Sequence, residues 1–293
     1  MGTRELYYEV SGEGQPVVLL HPGFADSRIW DPQGPSYTER FRVVRCDMPG
    51  FGRSRIRALP VRYALEVAAL LDRLGIEQAA WVGCSLGGRV ALELAIARPD
   101  LVGALVLVGA ATPEALATTP EMAAYGAALM EAIEKRGLEA AVEVNLRAWV
   151  DGPHRKSDQV NPDVRARIAT MQRDAFVNTR EFAASWQEEM LISDLANRLG
   201  QISVTTLVLI GDLDMDFLHE QARLLADSIP GAQLQTIPDT AHAPSIERPL
   251  AFDQRAFPFL ATATRGERAC VDRGLAPGRT DRTPVRCASD GAV

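Results

Sequence analysis

The segment Gly83-Cys84-Ser85-Leu86-Gly87-Gly88 holds the residue types and spacing most suggestive of chemistry. A short apolar run, Ala79 to Cys84, precedes the serine and a helix-periodic run, Leu86 to Ala97, follows it. Ser85 therefore stands where a strand turns sharply into a helix. Glycines belong there because the tight turn leaves little room for side chains and strains the serine backbone, hydroxyl outward. A serine hydroxyl is a weak nucleophile at neutral pH and needs an adjacent base, commonly a histidine oriented by a carboxylate. The chain offers 4 histidines: His21, His154, His219 and His242, the last within Asp239-Thr240-Ala241-His242-Ala243-Pro244. Three aspartates share one loop after a strand-like run, Gly211-Asp212-Leu213-Asp214-Met215-Asp216. Charge growing on an attacked carbonyl needs two preorganised N–H donors, and the Leu86 amide at the helix start is one candidate.

The elements that must carry these residues are legible as alternating patterns. Val17 to Leu20 is a strand-like run halted by His21-Pro22-Gly23, and Phe41 to Cys46 repeats the pattern before Asp47-Met48-Pro49-Gly50. Residues 61 to 74 have helical spacing and stop at Gly75, and Ala104 to Val108 is a further strand. Such alternation predicts βαβ units, a mostly parallel sheet with helices on both faces, and ligands at the carboxyl ends of the strands. From about Thr112 to Gly200 strand-like runs vanish and helical segments follow one another, which predicts an inserted helical lid. The rhythm resumes with a strand from Val204 to Ile210, a helix near His219 to Ser228, a strand from Gln233 to Ile237 and a last helix from Pro249 to Leu260. The expected organisation is one α/β domain over 1–261, with the lid at about 112–200. Residues 262–293, rich in Arg, Gly, Pro and Asp, are expected to form a disordered tail.

Composition narrows the function classes. The 293 residues are 47% hydrophobic and 24% charged, enough for a sizeable core. Lys plus Arg number 31 against 38 Asp plus Glu, a net charge of -7 without a basic block, which argues against nucleic acid as a partner. The N-terminus lacks the apolar stretch of a signal peptide and no run of about 18 apolar residues occurs, so a cytoplasmic protein without membrane contact is expected. The 4 cysteines (Cys46, Cys84, Cys270, Cys287) form neither a disulfide framework nor a CxxC, and no metal is expected. Cys84, on a strand beside the serine, reads as buried packing.

Around Ser85 the chain resembles the α/β-hydrolase superfamily, over about residues 4 to 260 and with a lid in the same position. The resemblance implies the order serine, acid, histidine, which selects Ser85 as nucleophile and His242 as base. The family's spacing of a glycine, two residues and the acid selects Asp214, leaving Asp212 and Asp216 as loop or helix-cap carboxylates. It implies an oxyanion hole from the Leu86 N–H and from the loop His21-Pro22-Gly23-Phe24. Pro22 replaces the usual glycine and has no N–H, so Gly23 and Phe24 both stay open as second donor. Trp30-Asp31-Pro32-Gln33 and the Asp47 to Ser54 segment are similar to enol-lactonase and carboxylesterase branches, with Asp47 expected to fix a turn. In the lid, Trp149 and Trp186 are each candidates for the substrate pocket or for lid core. The implied function is hydrolysis of a small-molecule carboxylic ester or lactone through an acyl-enzyme, without cofactor. Related branches perform perhydrolysis (the cofactor-free haloperoxidases), C–C bond hydrolysis or acyl transfer on the same triad, and some members are slow-turnover ligand receptors. An idle partner-binding protein is disfavoured because all three triad positions are filled.

Overall fold

The apolar runs pair into a seven-stranded sheet. Its strands are β1 (Tyr8–Ser11), β2 (Gln15–Leu20), β3 (Phe41–Cys46), β4 (Ala79–Cys84), β5 (Val102–Val108), β6 (Thr205–Gly211) and β7 (Gln233–Ile237). The computed structural model describes residues 6–273. The order across the sheet is β1-β3-β2-β4-β5-β6-β7. β1 runs antiparallel to β3 and every other pairing is parallel. Central β4 is buried along its whole length, because helices cover both faces of a parallel sheet and leave no polar side for alternation.

The longer helices are α1 (Tyr63–Arg73), α2 (Leu86–Ala97), α3 (Pro120–Glu131), α4 (Leu138–Asn145), α5 (Pro162–Thr179), α6 (Asp216–Ser228) and α7 (Pro249–Arg273). The chain between β5 and β6 is helical with short connections, and α3, α4 and α5 fall within it, above the carboxyl ends of β2, β4 and β5. Among the described residues no helix is long and apolar enough to cross a membrane.

Two differences from the sequence expectation have simple causes. β1 carries no apolar run because it is an edge strand whose residues are exposed or half-buried. The last helix does not end at Leu260 but continues to Arg273, past the expected start of the tail. Phe252, Ala256, Leu260 and Thr264 are all buried, so a stripe at four-residue spacing keeps the helix on the sheet for a further turn. The rest of the expected tail, 274–293 with Cys287, lies outside the described residues.

Candidate active site

Ser85 sits between β4 and α2 with φ 50 and ψ -111, a conformation that costs a non-glycine residue on the order of 1–3 kcal/mol. The surrounding glycines make that turn physically available. A Cβ on Gly83 would stand 2.4 Å from the Gly87 carbonyl oxygen, and one on Gly87 would stand 2.4 Å from that of Leu20. The Ser85 N–H donates to the Val108 carbonyl at 2.8 Å and its carbonyl accepts from Arg89 at 2.9 Å, locking the turn to β5 and α2.

His242 follows β7 and is 1% exposed. Its Nδ1 lies 2.7 Å from Asp214 Oδ2, and the other carboxylate oxygen accepts the Met215 N–H at 2.9 Å. Among the described residues Nε2 is buried and has no hydrogen-bond partner, so the ring is oriented at one nitrogen and free at the other. The two competing aspartates are placed elsewhere. Asp212 accepts the Thr240 N–H at 3.2 Å, and Asp216, at the start of α6, is exposed with His154 Nε2 at 3.6 Å. His219 lies on α6, and His21 is wholly buried with Nδ1 donating to the Pro22 carbonyl at 2.8 Å and Nε2 accepting from Met48 N–H at 2.9 Å. Burial keeps His21 neutral by lowering its pKa.

The loop that carries His242 is braced on both sides. Glu247 Oε1 accepts the N–H groups of Ala241 (3.0 Å) and Ala243 (3.3 Å), while Oε2 meets Arg155 at 2.6 Å. The His242 N–H donates to the Trp149 carbonyl at 3.3 Å and its own carbonyl accepts from Cys84 Sγ at 3.6 Å. Cys84 is thus buried packing beneath the turn, with its thiol pKa pushed up by burial.

Ser85, Leu86, His242, Gly23, Phe24 and Trp149 converge on one cavity of about 320 Å³. Gly23 faces Leu86, since a Cβ built on Gly23 would be 3.6 Å from the Leu86 side chain. Leu86 opens α2, where the first N–H groups have no acceptor inside the helix. Phe24 lies 5.6 Å from the His242 ring and stacks on Trp149 at 6.2 Å. Trp149 reaches the site because a π-helical turn, Leu146–Asp151, follows α4, and such wider turns recur at functional sites.

Trp186 is a correction: it is 38% exposed and does not border this cavity. The strap after α5 pairs with Val61 through the Gln187 carbonyl and the Glu189 N–H, which leaves Trp186 outside that pairing and places Glu188 on the cavity wall. Asp47 fixes its turn as expected, accepting Ser27 N–H at 2.9 Å and Arg53 N–H at 2.8 Å.

Several site residues carried no sequence signal of their own. Arg89 lines the cavity and joins Glu188 to Glu93 on α2; its place four residues after Ser85, on the same helical face, was the available clue. Burial raises the Glu93 carboxyl despite the facing guanidinium. Gly109, directly after β5, is another. With φ 51, it leaves space that a Cβ would fill 2.7 Å from His242 Cε1 and 2.8 Å from Nδ1. Gly109→Ala is expected to displace the imidazole and lower kcat by roughly 10²-fold with the fold retained, measured by steady-state kinetics and thermal melting. An unchanged kcat would show that the ring tolerates the shift.

A family described as the alpha/beta hydrolase fold matches residues 16–249. The chain is 29% identical over 262 residues to 2-hydroxy-6-oxononadienedioate/2-hydroxy-6-oxononatrienedioate hydrolase of Comamonas testosteroni, covering 86% of this chain and 89% of the relative. It is also 29% identical over 264 residues to the pimeloyl-(acyl-carrier protein) methyl ester esterase of Vibrio cholerae, covering 88% and 98%. Among solved structures, the enol-lactonase of Burkholderia xenovorans LB400 superposes with a TM-score of 0.70 at 26% identity, covering 87% of this chain and 96% of that one. With the strand order, the strained serine turn and a family match across most of the sheet and lid, the chain belongs to the α/β-hydrolase fold family.

Proposed function

We propose that this α/β-hydrolase cleaves a small carboxylic ester or lactone through an acyl-enzyme on Ser85. The observation that carries the reading is the His242 ring, held by Asp214 at 2.7 Å through Nδ1 while Nε2 stays buried and unpaired beside the serine's cavity. In the first half-reaction Ser85 Oγ bonds to the acyl carbon, its proton passes to His242 Nε2, and the carbonyl electrons move onto an oxyanion. The Leu86 N–H and an N–H of the Gly23-Phe24 loop are the donors for that oxyanion. Collapse expels the alkoxide, which takes the proton from His242; in a lactone it stays tethered to the acyl group. Water, deprotonated by the same ring, then adds to the acyl carbon; collapse breaks the Ser85 Oγ–acyl bond, His242 returns the proton to Oγ, and the acid leaves. Asp214 orients the imidazole and stabilises its cation in both halves. A cavity of about 320 Å³ is at the small end for ligand sites and suits a compact acyl group. The names of relatives, a methyl ester esterase and an enol-lactonase, point the same way. The test is hydrolysis of p-nitrophenyl acetate and butyrate beside a set of lactones. Sustained turnover is expected, and a single stoichiometric release without further turnovers would favour a ligand receptor instead.

A further inference from the structure

One half-buried tyrosine and two buried amides of the lid form an unbroken hydrogen-bond relay that ends on the loop beside Ser85. The Tyr125 hydroxyl on α3 donates to Asn145 Oδ1 on α4 at 2.7 Å, the Asn145 amide donates to Gln172 Oε1 on α5, and Gln172 Nε2 donates to the Phe24 carbonyl at 2.6 Å. Asn145 is 6% exposed and Gln172 2%, so each amide has been withdrawn from water and depends on these partners. The direction is fixed along the chain: the tyrosine hydroxyl starts it as a donor and the Phe24 carbonyl ends it as an acceptor.

The Phe24 carbonyl belongs to a peptide held at both ends. Its nitrogen end, the Ala25 N–H, donates to the Pro22 carbonyl at 3.2 Å, closing a turn with Gly23 and Phe24 at its centre. The Pro22 carbonyl also accepts from His21 Nδ1 at 2.8 Å. The sheet therefore grips the turn through His21 and the lid grips it through Gln172. The N–H groups of Gly23 and Phe24, the two candidates for the second oxyanion donor, lie between these grips and take no part in closing the turn.

We infer that Gln172 is a positioning residue for the oxyanion hole: by holding the Phe24 carbonyl from the lid, it aims the N–H groups of the Gly23-Phe24 turn into the catalytic cavity. This rests on the ester-hydrolase reading above. An oxyanion donor contributes chiefly in the transition state, so loosening it lowers kcat and leaves KM nearly untouched. Tyr125, at the head of the relay, borders the catalytic cavity and meets Trp149 edge-on at 5.2 Å, so the relay joins the substrate's lid-side wall to the donor loop.

Gln172→Met removes both ends of the amide link at similar volume, and Gln172→Glu keeps the acceptor for Asn145 while setting a carboxylate against the Phe24 carbonyl. Both variants are expected to lose roughly 10- to 100-fold in kcat with KM within about 3-fold. Binding of a trifluoromethyl ketone, whose hemiketal oxyanion needs the same donors, is expected to weaken by the same factor. Arg173→Ala, next to Gln172 on α5, breaks only an exposed ion pair with Glu139 of α4 and serves as the control with unchanged kinetics. Amide hydrogen exchange of the peptide spanning 22–26 reads the grip without turnover and is expected to rise in both Gln172 variants. Unchanged exchange, or a KM effect without loss of kcat and ketone affinity, overturns the assignment. A wild type inert toward all esters and lactones while exchange still rises refutes the ester reading and supports the grip on the loop.

Discussion

Ser85→Ala is expected to lower kcat for p-nitrophenyl butyrate by about 10⁴- to 10⁶-fold and to abolish covalent labelling by a fluorophosphonate. The magnitude follows from the cavity's lining, in which, among the described residues, no other serine, threonine or cysteine stands. Cys84 is the adjacent thiol, but it is buried beneath the turn, donates to the His242 carbonyl and has its pKa raised by burial, so it cannot substitute. The residual rate is what the oxyanion donors and substrate binding contribute to attack by water. Stability should hardly change. Alanine meets the same left-handed backbone as serine at φ 50, and no side-chain hydrogen bond caps α2 there, so Tm is expected to move by no more than about 3 °C. A variant that turns over p-nitrophenyl butyrate at a tenth of the wild-type rate or faster would remove Ser85 from the mechanism.

Asp214→Asn carries the second largest expected effect, about 10⁴-fold in kcat. The carboxylate accepts from His242 Nδ1 and thereby keeps the proton there, leaving Nε2 as the base. An asparagine can turn its NH2 group to Nδ1, which fixes the opposite tautomer with the proton on Nε2, where it cannot accept from Ser85. The variant keeps the oxygen that accepts the Met215 N–H, so the loop retains its shape and the loss is one of chemistry. Steady-state kinetics beside a thermal melt would distinguish the two. A loss under 10-fold with an intact fold would mean that the neighbouring braces alone orient the ring. Asp212→Asn and Asp216→Asn are the matched comparisons, expected within about 2-fold of wild type, since one accepts a loop N–H and the other is exposed.

The division between what the chain announced and what it concealed follows sequence distance. The strand Ala79–Cys84, the glycines around Ser85 and the helix Leu86–Ala97 are local patterns, and they were legible because the residue types a tight strand-to-helix turn requires lie within six consecutive positions. The burial of Cys84 and the turn fixed by Asp47 were readable for the same reason. Trp186 was not, because helical spacing gives a lid segment its apolar residues without saying which neighbour covers them. The helix beyond Leu260 was masked by a composition that reads as unstructured, although Thr264 continues the buried stripe.

By itself, the sequence determined the alternation of strands and helices and the helical stretch between β5 and β6, and it offered a serine, aspartates and a histidine in the order the family uses. The family spacing had already selected Asp214 among three aspartates two residues apart, and what the tertiary structure adds is the contact itself: Asp214 meets His242, whereas Asp212 accepts a loop N–H and Asp216 is exposed. Only the tertiary structure decided that Gly109 makes room for the imidazole and that Gln172 grips a loop 148 residues away. The physical reason is that turn strain and amphipathic spacing are set by neighbours in the chain, whereas a hydrogen bond between distant residues exists only after the sheet and lid have packed.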